Sequence, residues 1–130
     1  MILVSNEFWQ LESLPTEGYC VLRRTAKRAD DLSALRSANV EVAGYFEPHH
    51  KSWGLIVDMR KAAPRNDEAF EDAMRPLRTR VSQHFARVVL LLSSAVGVLQ
   101  VERLRAHEGN SWLATRSESE AITLARDASP

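Results

Sequence analysis

The sequence predicts one α/β domain on a mostly parallel sheet, and three features lead there. Two aliphatic runs, residues 53–59 (WGLIVDM) and 87–92 (RVVLLL), lack polar alternation, as strands buried on both faces do. Segments of helical periodicity separate and follow these runs. Ahead of them stand two short segments joined by a Pro/Gly turn, which reads as an antiparallel hairpin. The predicted order is ββαβαβαβα, a four- to five-stranded sheet with helices and an antiparallel edge.

Residues 7–14 (EFWQLESL) alternate, setting Trp9, Leu11 and Ser13 against Phe8 and Gln10. Pro15-Thr16-Glu17-Gly18 is a turn, with Pro setting φ and Gly allowing a positive φ. Residues 19–24 (YCVLRR) return as the second strand. Asp30 or Asp31 can cap a helix over residues 31–46, whose Leu32, Leu35, Ala38 or Asn39, Val42 and Phe46 recur at helical spacing. Pro48 and His49-His50-Lys51-Ser52 stop it. The aliphatic strand at 53–59 then opens into a loop over residues 60–66.

Asn66 is expected to cap the next helix. Asp67, Glu68, Glu71 and Asp72 crowd its start and Arg75, Arg78 and Arg80 follow, a polarity that complements the helix dipole. Phe70, Met74, Leu77, Val81 and Phe85 make its single apolar face. Pro76 predicts a kink or a restart, since a mid-helix proline removes a hydrogen bond at a cost of about 3 kcal/mol. After the strand at 87–92, residues 94–107 read as helix, although Val96, Val98, Val101 and Gly97 also permit a strand. Glu108-Gly109-Asn110 is a stop, Trp112-Leu113-Ala114 a short edge strand, and Ser117-x-x-Glu120 a capping box opening the last helix.

The chain of 130 residues suits a single domain, residues 1–130 with a core over about 7–126. Acids and bases balance at 17 each, so no net field draws the molecule to nucleic acid or to an anionic membrane. Cys20 is the lone cysteine, set in an apolar run; it excludes an internal disulfide or a zinc cluster and reads as a buried small hydrophobe. No run approaches the roughly 20 apolar residues of a membrane span, and the N-terminal apolar run is too short for a signal peptide, so the expected location is the cytoplasm.

No nucleophile elbow, dinucleotide fingerprint, zinc-protease or kinase motif is present, so no catalytic residues are expected and the chain reads as a non-enzyme. In parallel sheets, ligands and partners meet the carboxyl ends of strands near helix N-termini. Asp58, Arg60, Arg65, Asn66, Asp67 and Glu68 occupy that position after the first aliphatic strand and are the candidate partner-binding residues. The competing reading makes Asn66 and Asp67 plain caps and the arginines solvated. Ser93 and Ser94 follow the second aliphatic strand as candidate anion-binding residues, with ordinary capping as their alternative. His49-His50 shows neither H-x-x-x-H nor a carboxylate at ligand spacing, so it reads as a surface turn; no metal or cofactor is expected.

The text LIVDMRKAAPRNDEAFEDAMRPLRTRV, then FARVVLLLSSAVGVLQVERLRAHEG, then the terminal strand and capped helix, resembles the STAS-like (SpoIIAA-like) group, often placed with SEC14-type folds. The likeness spans roughly residues 7–126 and is to small stand-alone bacterial proteins. It implies a STAS/SpoIIAA-like sheet with a helix, not a strand, at 94–107. It also implies a regulatory module with a protein partner. The group's switch is a phosphorylated Ser or Thr at the start of the helix after the central strand. Here that region is Arg65-Asn66-Asp67-Glu68, which has no hydroxyl. Phospho-switching is therefore not expected, while constitutive partner binding is. A SEC14-type relationship implies the alternative, a small lipid or anion held between helix and sheet. An exposed edge strand at 7–14 or 112–114 would allow a homodimer.

Overall fold

A computed structural model describes residues 1–108 and 112–127. The elements are β1 (Ile2–Ser5), β2 (Trp9–Leu14), β3 (Tyr19–Arg24), α1 (Leu32–Ala43), β4 (Gly54–Asp58), α2 (Glu68–His84), β5 (Arg87–Leu91), α3 (Ala95–Glu108), β6 (Leu113–Thr115) and α4 (Glu118–Arg126). A 3-10 turn, Pro48–Ser52, lies between α1 and β4. The stop expected at Gly109 and Asn110 falls outside the described residues.

The strands form one six-stranded sheet in sequential order, β1-β2-β3-β4-β5-β6. β1-β2 and β2-β3 are antiparallel; β3-β4, β4-β5 and β5-β6 are parallel. The sheet is thus mixed and larger than expected, because the four-residue β1 adds a strand. It pairs with β2 through an irregular register, Ile2 with Glu12 and Val4 with Leu11. The Met1 amine also donates to the Ser13 carbonyl at 2.8 Å. Residues 7–14 are therefore not an edge. The edges are β1 and the three-residue β6.

Gly18 has φ 76°, as the turn between β2 and β3 requires. Asp31 caps α1, accepting from the Ala34 amide at 3.1 Å. Asp67, not Asn66, caps α2, accepting from the Phe70 amide at 3.3 Å. α2 runs unbroken through Pro76 with no restart. Pro76 is exposed, so water can reach the carbonyl group that its missing N–H leaves unpaired. Residues 95–108 are helix, as the family likeness implied. The capping box of α4 is half-formed: Ser117 Oγ accepts from the Glu120 amide at 3.2 Å, but the Ser117 amide donates to Thr115 Oγ1 at 3.0 Å.

Two cores follow from the layers. α1 and α2 cover one face, burying Leu35, Val42, Phe70, Leu77 and Val81 against Trp9, Leu11, Leu22, Leu55 and Val57. Crossovers of one hand that step the same way along a sheet place their helices on one face. α4 covers the other, seating Ala121 and Ala125 on Tyr19, Val21, Ile56, Val89 and Leu91. It sits so close that a Cβ on Gly54 would lie 2.3 Å from the Ala125 carbonyl oxygen. Inside the first core, Trp9 Nε1 donates to Asn39 Oδ1 at 2.7 Å, and Asn39 Nδ2 donates to the Ala73 carbonyl at 3.3 Å. This buried amide ties β2, α1 and α2 together.

Candidate functional site

Because β3 to β6 run parallel, their carboxyl ends share one rim. β4 and β5 lie side by side from Gly54–Arg87 to Asp58–Leu91, and the Met59 amide donates to the Leu91 carbonyl at 2.9 Å. The exits of the two aliphatic strands are therefore neighbours.

Asp58 ends β4 and is buried. Its carboxylate accepts from Arg60 Nε at 3.0 Å, from an Arg60 terminal nitrogen at 2.8 Å and from the Arg60 amide at 3.1 Å. Burial pushes the Asp58 carboxyl up, but the Arg60 donors and the charges of Arg60 and Arg23 outweigh it, so the net shift is below the ordinary value. The Arg60 guanidinium is shifted up, chiefly by its bond to Asp58. Its free arm reaches Glu118 in the first turn of α4 at 3.2 Å. One arginine thus links the exit of β4 to the start of α4.

A second clamp holds the far end of the loop. Arg65 grips the Asp67 carboxylate with bonds of 2.6 and 3.2 Å and donates to the Ala29 carbonyl in the loop after β3. Its guanidinium lies 5.7 Å from the centre of the Phe70 ring. Arg65, first of all, draws the Asp67 carboxyl below its ordinary value. Arg65 thus makes a bidentate pair within the chain. Asn66 and Glu68 are exposed, and their side chains have no partner among the described residues.

Ser94 Oγ accepts from the Gly97 amide at 3.0 Å and so caps α3; Ser93 is exposed beside it. The structure brings all these residues to one rim but spends Asp58, Arg60, Arg65, Asp67 and Ser94 on internal bonds. Sequence reasoning missed Glu118, Ala29 and Arg24. Arg24 is buried, over the rings of Phe8 and Trp9 at 5.1 and 5.7 Å, and braces the loop after β3 by donating to the Thr25 and Lys27 carbonyls at 2.9 and 2.8 Å. Its only signal was a double arginine closing an apolar strand. Glu118 lies 58 residues from Arg60, beyond any local pattern.

Two open depressions flank the rim. One, of about 470 Å³, lies beside Phe8, Lys27, Arg28 and Asp31. The other, of about 530 Å³, lies between α3 and β6 and is lined by Val98, Leu99, Ala114 and Arg116 among others.

Away from the rim, the Pro48–Ser52 turn brings donor atoms of Glu47, His49 and His50 within 4.8 Å of one another. The sequence reading overlooked Glu47. His50 Nδ1, however, already accepts from the Glu47 amide at 3.1 Å. Two free donors fall short of the three or four protein ligands of zinc sites, and we assign no metal ligands here.

No family model and no curated protein matches the sequence. Among solved structures, an uncharacterised DUF3478-family protein from Shewanella loihica PV-4, described with a SpoIIAA-like fold, superposes with a TM-score of 0.62. The two share 9% identity over 95% of this chain and 98% of that one. The fold is SpoIIAA-like. At that identity the SpoIIAA-like architecture is what the two have in common, and it agrees with the STAS-type α/β domain expected from the sequence.

Proposed function

We propose that the chain is a non-enzymatic regulatory module of the bacterial cytoplasm that binds a protein partner through residues 58–68 and the start of α2. One observation carries this reading. The loop after β4 has no regular structure, yet paired arginine clamps hold both its ends, Arg60 on Asp58 and Glu118, Arg65 on Asp67 and Ala29. A loop held this way presents Asn66 and Glu68 in a set geometry and loses little entropy on binding. The clamp residues hold the loop's shape, and the exposed side chains meet the partner.

The test uses affinity purification from the native host with two variant baits. Asn66→Ala with Glu68→Lys changes the exposed side chains and leaves both clamps intact. Arg65→Ala with Asp67→Lys removes one clamp. Both baits should lose a protein that the wild type retains, with the first keeping its melting temperature. Full partner recovery by both would sink the proposal.

The alternative, a SEC14-type ligand carrier, draws on the groove beside Val98 and Leu99. That groove is open to solvent. A lipid or small anion co-purifying in native mass spectrometry would favour this second reading.

A further inference from the structure

Six rings gather at the end of the sheet opposite the rim: Phe46, His49, His50, Trp53, His84 and Phe85. Three are histidines, and they differ in their partners. His84 Nε2 donates to the Glu47 carbonyl at 2.7 Å. His49 Nδ1 lies 3.4 Å from the Glu47 carboxylate. His50 is the exception. It is 1% exposed and stacked on Phe85 with ring centres 5.7 Å apart. Its Nδ1 accepts a hydrogen bond from the Glu47 amide. An imidazolium carries a proton on both nitrogens, so a charged His50 would point N–H at N–H.

That bond caps the start of the 3-10 turn, beside the backbone bond from the His50 amide to the Glu47 carbonyl at 2.9 Å, and the turn is joined to its surroundings at two points. His84, the last residue of α2, reaches the Glu47 carbonyl, and the Ala86 amide donates to the Trp53 carbonyl at 2.9 Å. We propose that the Pro48–Ser52 turn is an acid-sensitive latch, in which protonation of His50 breaks its bond to the Glu47 amide and frees the connection between α1 and β4 from the end of α2. The groups facing His50 are Glu47 and His49 from its own turn and His84 from α2; Lys51, next in sequence, is exposed. Positive charge on His49 and His84 opposes a third charge, and only Glu47 favours one.

The direction with pH follows. Burial, first, then His49 and His84, lowers His50 from its ordinary value of 6.5. A lowered histidine binds its proton more readily once the latch is open. The closed form is therefore fully favoured above pH 6.5 and loses ground as pH falls below it.

The experiment compares wild type with His50→Asn, whose side-chain oxygen can accept from the Glu47 amide and does not titrate. Between pH 7.5 and 5.5 the wild type should lose more melting temperature than the variant, by up to about 4 °C in a domain of this size. Hydrogen exchange at the Glu47 amide, normalised for intrinsic rates, should quicken by up to about tenfold per pH unit below pH 6.5 in the wild type alone. Superimposable melting profiles, or Glu47 protection unchanged down to pH 5, would overturn the latch. Should His50→Asn fail to fold, Glu47 protection in the wild type decides by itself. Neither readout involves the partner surface, so this result stands apart from the proposed function.

Discussion

Cys20 lies in β3 with no exposed surface, and burial above all pushes its thiol up to about 12. A thiol reacts as thiolate, so thiol reagents should label the native protein far more slowly than the urea-unfolded chain; equal rates would contradict its burial. Asn39 is the other residue that decides much. Asn39→Ala leaves the Trp9 indole N–H buried without an acceptor, and denaturant unfolding should show a loss of about 1–3 kcal/mol. Cys20 was legible in its apolar neighbours. Asn39 was legible only as an alternative to Ala38 on the inner face of its helix, and its bonds to Trp9 and Ala73 were not, because those partners come from other elements.

At the scale of elements, the aliphatic runs, the capped helices and the Pro/Gly turn stand where residue pattern put them. β1 was missed because four residues have too little periodicity to read, and only pairing with β2 makes them a strand. Gly54 has no sequence signal beyond opening an apolar run, yet α4 packs on its bare Cα. Gly54→Ala should destabilise by about 1–3 kcal/mol in thermal or denaturant melts, with the loss traced to displaced α4. α3 is the loosest helix: among its residues whose burial is described, none is buried. Hydrogen exchange should therefore be faster along α3 than along α2, which buries Phe70, Ala73, Met74, Leu77 and Val81. Slower exchange in α3 would mean that another surface covers it.

Across the whole molecule, the Asp58–Arg60–Glu118 link joins the central strand to the helix on the second face. Because the folded state holds the Asp58 carboxyl below its unfolded value of 3.8, its contribution is present above that pH and lost as pH falls through the folded value. Asp58→Asn should lower stability at neutral pH and flatten the acid limb of the pH–stability curve below about pH 4, measured by urea midpoints. A variant curve parallel to wild type would show that the pair contributes nothing specific. The rim itself was readable in part. Two aliphatic strands and the loop between them predict neighbouring exits, and the parallel register of β4 and β5 bears this out.

The aliphatic strands, the hairpin, the cap at Ser117 and the interior place of Cys20 were written in local pattern, while the cap of α2 was read one residue early, at Asn66 in place of Asp67. These depend on periodicity and on side chains bonding backbone two or three residues away. Which charges remain free was decided only by the tertiary structure. Arg60 and Arg65 are alike in sequence, both loop arginines near a carboxylate, but folding brings Glu118 to one and the Ala29 carbonyl to the other. The same holds at the opposite end, where packing against Phe85 and a bond to the Glu47 amide set His50 apart from His49. Pairing across distant elements depends on how layers close around the sheet, and no local spacing encodes that distance.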